Sequence, residues 1–338
     1  MYSSYSSLQQ SQLAAQGYYD TQSTYLLVYA PGRSTALRAT LADQLHRKFR
    51  LADTLGSALT EGVDGVLLVS EDVECMSTAL MCFAKALQDG ADYAVCNAVF
   101  GFGGATALYQ SRAHLAQNRC ALVSRPLLER CRAAAKDPEN VTELLALAAQ
   151  FCAHPARIPQ ALLHYERDIC AEDAFSATGK RAFLMSHVLD MTGAPIVLVS
   201  AVPVLRSMGY EVVVLGPSDG GALQLFVDAG AAVITRPGIR ATPNLWGLAL
   251  CTDLVLVNTV VMARTVRALS GTAVPVLWWL HDAFAGYPHI AHQIPTKLAE
   301  NVRLYSVGHH AANAMHAVRP DFQIGQLIYG LPDYAAED

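Results

Sequence analysis

Residues 181–215, RAFLMSHVLDMTGAPIVLVSAVPVLRSMGYEVVVL, decide the fold. Arg181 to Ser186 is an apolar run that reads as a strand. Pro195 to Met208 has the length and composition of a helix, and Gly209 follows it as the expected left-handed C-terminal residue. Glu211 to Leu215 is a second apolar, β-branched run. Strand, helix and strand in succession form a βαβ unit, and strands this uniformly apolar need helices on both faces.

The same rhythm continues to the right. Ala222 to Asp228 reads as a helix closed by Gly230, and Ala232 to Thr235 as a strand. Asp253 to Asn258, Val274 to Leu280 and Arg303 to Val307 are further apolar strands. The expectation is a doubly wound parallel Rossmann-like sheet. To the left the pattern is looser. Tyr25 to Tyr29, Val63 to Val69, Tyr93 to Val99 and Ala156 to Tyr165 read as strands. Thr78 to Leu87 and Val141 to Cys152 read as helices, and Leu37, Leu41 and Leu45 predict one helix from Ser34 to Phe49. Ala121 to Val123 reads as a strand passing into a helix with Pro126 near its start. Cys170 to Gly179 is polar and turn-prone. The expected division is a flexible lead-in over 1–22, one α/β domain over 23–170 and another over 171–338.

Composition bounds the function. Hydrophobic residues make up 52% of the 338 and charged residues 16%, which excludes a disordered chain. Net charge is -5 with no long basic run, so nucleic acid and anionic membrane are not expected partners. The apolar stretch from Ala194 to Leu205 is too short to span a bilayer, and no basic-plus-apolar leader opens the sequence. Eight scattered cysteines without a Cys-x-x-Cys pair read as reduced core residues. Together these predict a soluble, cytoplasmic protein.

In a doubly wound sheet, ligands bind beyond the carboxyl ends of the strands, so the residues after each strand are the candidates. After the first come Ser186, His187 and the Thr192-Gly193-Ala194-Pro195 turn, where glycine admits a ligand to the amino end of a helix. After later strands come Asn258-Thr259 and His281-Asp282, an imidazole followed by an acid. Pro203 is expected to kink its helix. Gly216-Pro217-Ser218-Asp219-Gly220 matches the Gly-x-Ser-x-Gly of a serine-hydrolase elbow, with Ser218 as nucleophile, although ordinary turns use the same residues. His289-x-x-His292 and His309-His310 lack the companions a metal site needs. Gly101 to Thr106 starts like a dinucleotide fingerprint but lacks its third glycine.

These residues carry a resemblance. Ser186-His187 through Pro195, Gly209 to Gly220, the Gly230 turn, Asp253 to Thr259, Pro275 to Asp282 and Ile328 to Asp333 resemble the amino-terminal Rossmann-like half of a family 4 glycosyltransferase of the GT-B fold. The resemblance spans about residues 180–333. It implies transfer of a sugar from a nucleotide-sugar donor to a glycan or glycoconjugate acceptor, as in polysaccharide biosynthesis, with no required metal cofactor. It also implies that Gly193 faces the cleft and that His281 is the catalytic contact to the donor sugar. Ser186, His187, Asn258 and Asp282 would bind donor or acceptor. The Glu-x7-Glu pair of that family's second Rossmann domain has no counterpart, since no two glutamates are seven residues apart. A missing C-terminal Rossmann domain is therefore an expected partner, and the chain is expected to be inactive by itself.

Residues 23–170 resemble a degenerate family 2 glycosyltransferase domain of the GT-A fold. Val66 to Glu74 matches its strand and acidic motif, with Ser70 in place of the first acid and Asp72 retained, which implies a vestigial Mg or Mn site at Asp72. Arg157 to Glu166 resembles the closing strand. Asn140 in Pro138-Glu139-Asn140-Val141 stands where the catalytic base belongs, and an amide takes no proton at neutral pH. The alternatives are a non-catalytic sugar-binding or assembly module and the Ser218 hydrolase.

Overall fold

The computed structural model describes residues 21–32, 35–56, 59, 62–101, 106–109, 119–175, 179–237 and 246–329. The lead-in through Asp20, Phe102 to Ala105 of the glycine-rich stretch and the closing Gly330 to Asp333 lie outside them. Among the described residues no helix is long and apolar enough to cross a membrane. Contacts divide the chain into two compact α/β units, with the junction between Ile169 and Cys170.

The first unit contains β1 (Leu26–Tyr29), α1 (Thr35–Leu41), β2 (Phe49–Ala52), β3 (Gly65–Val69), β4 (Glu74–Cys75) and α2 (Ala79–Gln88). There follow β5 (Tyr93–Phe100), β6 (Thr106–Tyr109), β7 (Cys120–Ser124), α3 (Arg125–Ala134), α4 (Val141–Phe151) and β8 (Pro155–Tyr165). Its sheet is mixed. β1 lies parallel between β2 and β3, while β7 runs antiparallel to both β3 and β5. β8 is parallel to β5, with a register shift around Asn97, and β4 pairs with its far end. The core joins Leu27, Tyr29, Val66, Leu68, Tyr93 and Val123 from the strands to Leu128, Leu144 and Ala148 from α3 and α4. Cys75, Cys82, Cys96, Cys120 and Cys131 are buried in this unit. Burial pushes their thiols up, that of Cys75 to about 12.

The helix expected from Ser34 to Phe49 is corrected. α1 stops at Leu41, and Phe49 opens β2. The fully buried Gln44 explains the break: its amide donates to Met76 O at 2.9 Å and accepts from Leu80 N at 3.1 Å. Leu45 N donates to Ser77 O at 2.8 Å. The chain gives up helical bonds to satisfy the turn before α2.

The second unit contains α5 (Ala171–Ala174), β9 (Lys180–Met185), α6 (Gly193–Ser207), β10 (Tyr210–Gly216), α7 (Leu223–Asp228), β11 (Ala232–Thr235), α8 (Trp246–Leu250) and β12 (Leu254–Asn258). α9 (Ala263–Leu269), β13 (Val276–Leu280), α10 (Tyr287–Ile290), β14 (Val302–Ser306), α11 (His309–His316) and β15 (Ile324–Gln326) complete it. Its strands are all parallel, in the order β15-β14-β13-β12-β9-β10-β11. The chain lays down β9, β10 and β11 in one direction, then crosses back to place β12 on the other side of β9. That reversal makes the β9–β12 boundary the topological switch point, where an open α/β sheet leaves a crevice at its carboxyl edge. Gly209 and Gly230 take φ of 85° and 95° after α6 and α7, the left-handed conformation that glycine adopts without cost. α6 runs on through Pro203, which is exposed and costs the helix one interior hydrogen bond.

Candidate functional site at the switch point of the second unit

β9, β12 and β13 lie side by side, so their carboxyl ends bring residues 186–187, 258–260 and 281–282 together. Register sets the arrangement: Val257 pairs with Met185, and Asn258 with Trp279. Asn258 Nδ2 donates to Ala194 O at 2.9 Å, tying the end of β12 to the first turn of α6. His187 Nδ1 lies 3.3 Å from Thr259 Oγ1. Val260 N donates to the Asp282 carboxylate at 2.6 Å, and Trp278 Nε1 to Thr259 O at 2.8 Å. Residues more than 70 positions apart in sequence thus share one small network.

The expected site residues differ in what they can reach. Gly193 is exposed, and a Cβ placed there would meet nothing within 4 Å. It opens α6, whose N-cap Thr192 makes no side-chain cap bond, so no cap side chain covers the first-turn amides. His187 and His281 are partly exposed beside them. Burial, with His187 nearby, pushes the His281 imidazole down to about 4, so it is neutral at physiological pH. Its Nε2 is buried without a hydrogen-bond partner among the described residues. Burial also raises the Asp282 carboxyl, against the backbone N–H groups that hold it down.

Ser186 and Asn258, both expected to bind donor or acceptor, are wholly buried. The Ser186 hydroxyl donates to Val188 O at 2.6 Å and shapes the loop, while Asn258 anchors α6. Among the described residues, the Oδ1 of Asn258 has no hydrogen-bond partner. The Asp282 carboxylate fastens the loop after β12. Sequence reasoning missed Tyr287, fully buried at the start of α10 with its hydroxyl unpartnered and its acidity suppressed by burial and by Asp282. It also missed the backbone of Thr259. Neither carries a periodic or spacing signal.

The Ser218 hydrolase reading is corrected. Ser218 is exposed in a bend, and the next helix starts only at Leu223, whereas a nucleophile elbow turns directly from strand into helix. The two glycines have a packing cause. A Cβ on Gly216 would lie 2.4 Å from Leu189 Cγ, and one on Gly220 2.3 Å from Leu189 O.

In the first unit, Asp72 does not fit a metal. Its two carboxylate oxygens accept from Ala36 N and Leu37 N at 3.3 Å each, at the start of α1. Among the described residues no three potential ligands gather to hold an ion. Asn140 caps α4 by accepting from Glu143 N at 3.0 Å. A cavity of about 560 Å³ lies between α2 and β8, bounded by Lys85, Asp89, His154 and Arg157, and contains none of the expected site residues.

Comparison with known proteins bears on the second unit. No curated protein matches the chain. Among solved structures, the glycosyltransferase GlyE of Streptococcus pneumoniae TIGR4 aligns over 79% of this chain and 90% of its own at 8% identity, with a TM-score of 0.23. That score is too low to support an argument about the fold. The family 2 resemblance of the first unit gains no support from these comparisons. Residues 178–316, which contain every member of the strand-end network, match the family model described as Glycosyl-transferase family 4, so this segment is similar to a glycosyltransferase family 4 domain.

Proposed function

We propose that the second unit forms the donor-facing wall of a sugar transfer from a nucleotide-sugar to a glycan or glycoconjugate acceptor. The observation that carries this reading is a coincidence of place. The family 4 match covers the switch-point crevice, and there an open glycine, uncapped helix amides and two imidazoles converge. In the reaction, the bond from the anomeric carbon to the donor phosphate oxygen breaks, a bond to an acceptor hydroxyl oxygen forms, and that hydroxyl's proton passes to the departing diphosphate. The departing diphosphate gains charge, which the amides at Gly193 and Ala194 are placed to meet. Neutral His281 would exchange a hydrogen bond with a sugar hydroxyl near the reacting carbon. One wall supplies only part of the positioning on which such catalysis rests. The reading therefore expects binding by this chain, and turnover once an opposing Rossmann-type domain closes over the donor.

The test is calorimetry with a panel of nucleoside diphosphates and their sugar conjugates, followed by a donor-consumption assay. Binding of one donor that weakens in Gly193→Val supports the reading, and failure to bind any of the panel refutes it. With an opposing domain supplied, His281→Ala should lower transfer by about 10²-fold or more. Unchanged transfer would remove His281 from the mechanism. Robust transfer by this chain alone would refute the need for a second wall.

A further inference from the structure

Thr259 is the one non-glycine residue with positive φ among those described, at φ 73° and ψ 160°. That region belongs almost wholly to glycine, and a β-branched side chain is among the worst suited to it. Three bonds hold it there. Thr259 N donates to Trp279 O at 2.8 Å, Thr259 O accepts the Trp278 indole at 2.8 Å, and Thr259 Oγ1 meets His187 Nδ1 at 3.3 Å. Trp278 is itself wholly buried.

We propose that Thr259 is a positioning residue: its strained backbone exists to aim its hydroxyl at His187 and so fix the tautomer of that imidazole at the crevice. The direction of the hydrogen bond follows from satisfaction. Thr259 is 1% exposed, and His187 is the sole partner of its side chain among the described residues. Were Nδ1 to donate, the hydroxyl proton would be buried without an acceptor, which costs more than an unused lone pair. The hydroxyl therefore donates to Nδ1, and neutral His187 carries its proton on Nε2. Between β12 and the loop after β9, the fold thus sets one imidazole as a donor with a defined orientation. The link to sugar transfer rests on the function proposed above; the hold on His187 does not.

The test uses the full chain in four variants: Thr259→Ser, Thr259→Val, Thr259→Ala and Thr259→Gly. Long-range proton–nitrogen spectra of histidine-labelled protein, with His187 assigned through His187→Gln, read the tautomer. Wild type and Thr259→Ser should show a single Nε2–H form, and Thr259→Val a mixture of both tautomers. Identical His187 signals in wild type and Thr259→Val would overturn the proposal. Thermal unfolding reads the strain. Thr259→Gly should melt above Thr259→Ala by about 3 °C, because only glycine releases the backbone. A glycine variant no more stable than the alanine variant would also overturn it. Neither readout needs a donor to bind, so failure here and failure of the sugar-transfer reading are distinct results.

Discussion

The two units differ in what holds the polar groups near their strand ends. In the first, carboxylates are consumed by the structure around them. Asp72 receives the start of α1, and Glu139 accepts from Tyr29 OH and Leu55 N at 3.0 and 2.7 Å. Glu74 pairs with His164 at 2.6 Å, and Glu71 with Arg167 at 2.5 Å. Arg167 in turn lies over the stacked rings of Phe100 and Tyr165. In the second unit, Asn258 Oδ1, His281 Nε2 and Tyr287 OH are buried near the switch point with no hydrogen-bond partner among the described residues, as is Thr78 Oγ1 in the first, and Thr259 holds a strained backbone beside them. Native structures pair nearly all buried polar groups, and three of these exceptions gather near the switch point of the second unit.

The sharpest break of this comparison targets the second unit's support. Trp278→Ala removes a wholly buried indole and the bond that holds Thr259, and should cost about 3–5 kcal/mol in denaturant unfolding. If the two units unfold independently, only one of two transitions should move. A single transition shifting as a whole would show that they unfold together.

Next in size is a pH effect at His281. Its folded pKa of about 4 lies below the ordinary histidine value, so between the two the unfolded chain binds more protons. The associated stability is present above about pH 6.5 and is lost as pH falls toward 4, by about 1–3 kcal/mol. Urea unfolding at pH 7 and pH 4.5, in wild type and His281→Gln, checks this. An equal loss in both proteins would contradict the assignment.

In the first unit, Glu139→Ala should cost about 1–3 kcal/mol by orphaning Leu55 N, while Tyr29 OH keeps its bond to Glu139 O at 2.9 Å. It should not alter donor binding by the second unit, as read by calorimetry. Smallest of all, Asp72→Ala should cost about 1 kcal/mol through its two bonds to the first turn of α1. Any Mn²⁺-dependent nucleotide binding that vanished in this variant would restore Asp72 as a ligand and erase the contrast between the units.

The legibility of the sequence also differs between the halves. In residues 181–215, strand, helix and strand are each marked by local composition, and the structure places β9, α6 and β10 within two residues of those limits. α9, α11 and β15 carried weaker patterns and escaped notice, as did the break in the helix after Leu41. That break depends on Gln44 finding the turn at Met76, a contact more than 30 residues away. At the site, the positions just after β9, β12 and β13 were readable because strand ends are where such sheets bind. Their individual roles were not readable. Ser186 and Asp282 look like ligand residues in sequence, whereas in the structure Ser186 bonds to its own loop and Asp282 to the loop after β12.

By itself, then, the sequence determined that residues 181–235 alternate apolar strands with helices, that further apolar strands follow as far as Val307, and that the polar residues punctuating them fall at strand ends. Both follow from hydrophobic period and from the residues that stop helices, which act over a few positions. Tertiary structure alone decided which strand ends are neighbours, which carboxylates are spent on backbone amides, and which imidazoles remain at the crevice. Those outcomes depend on the crossover that puts β12 beside β9, and on hydrogen bonds between residues 22 to 72 positions apart. No local pattern records such bonds, because their cost and benefit arise only once both partners have left water together.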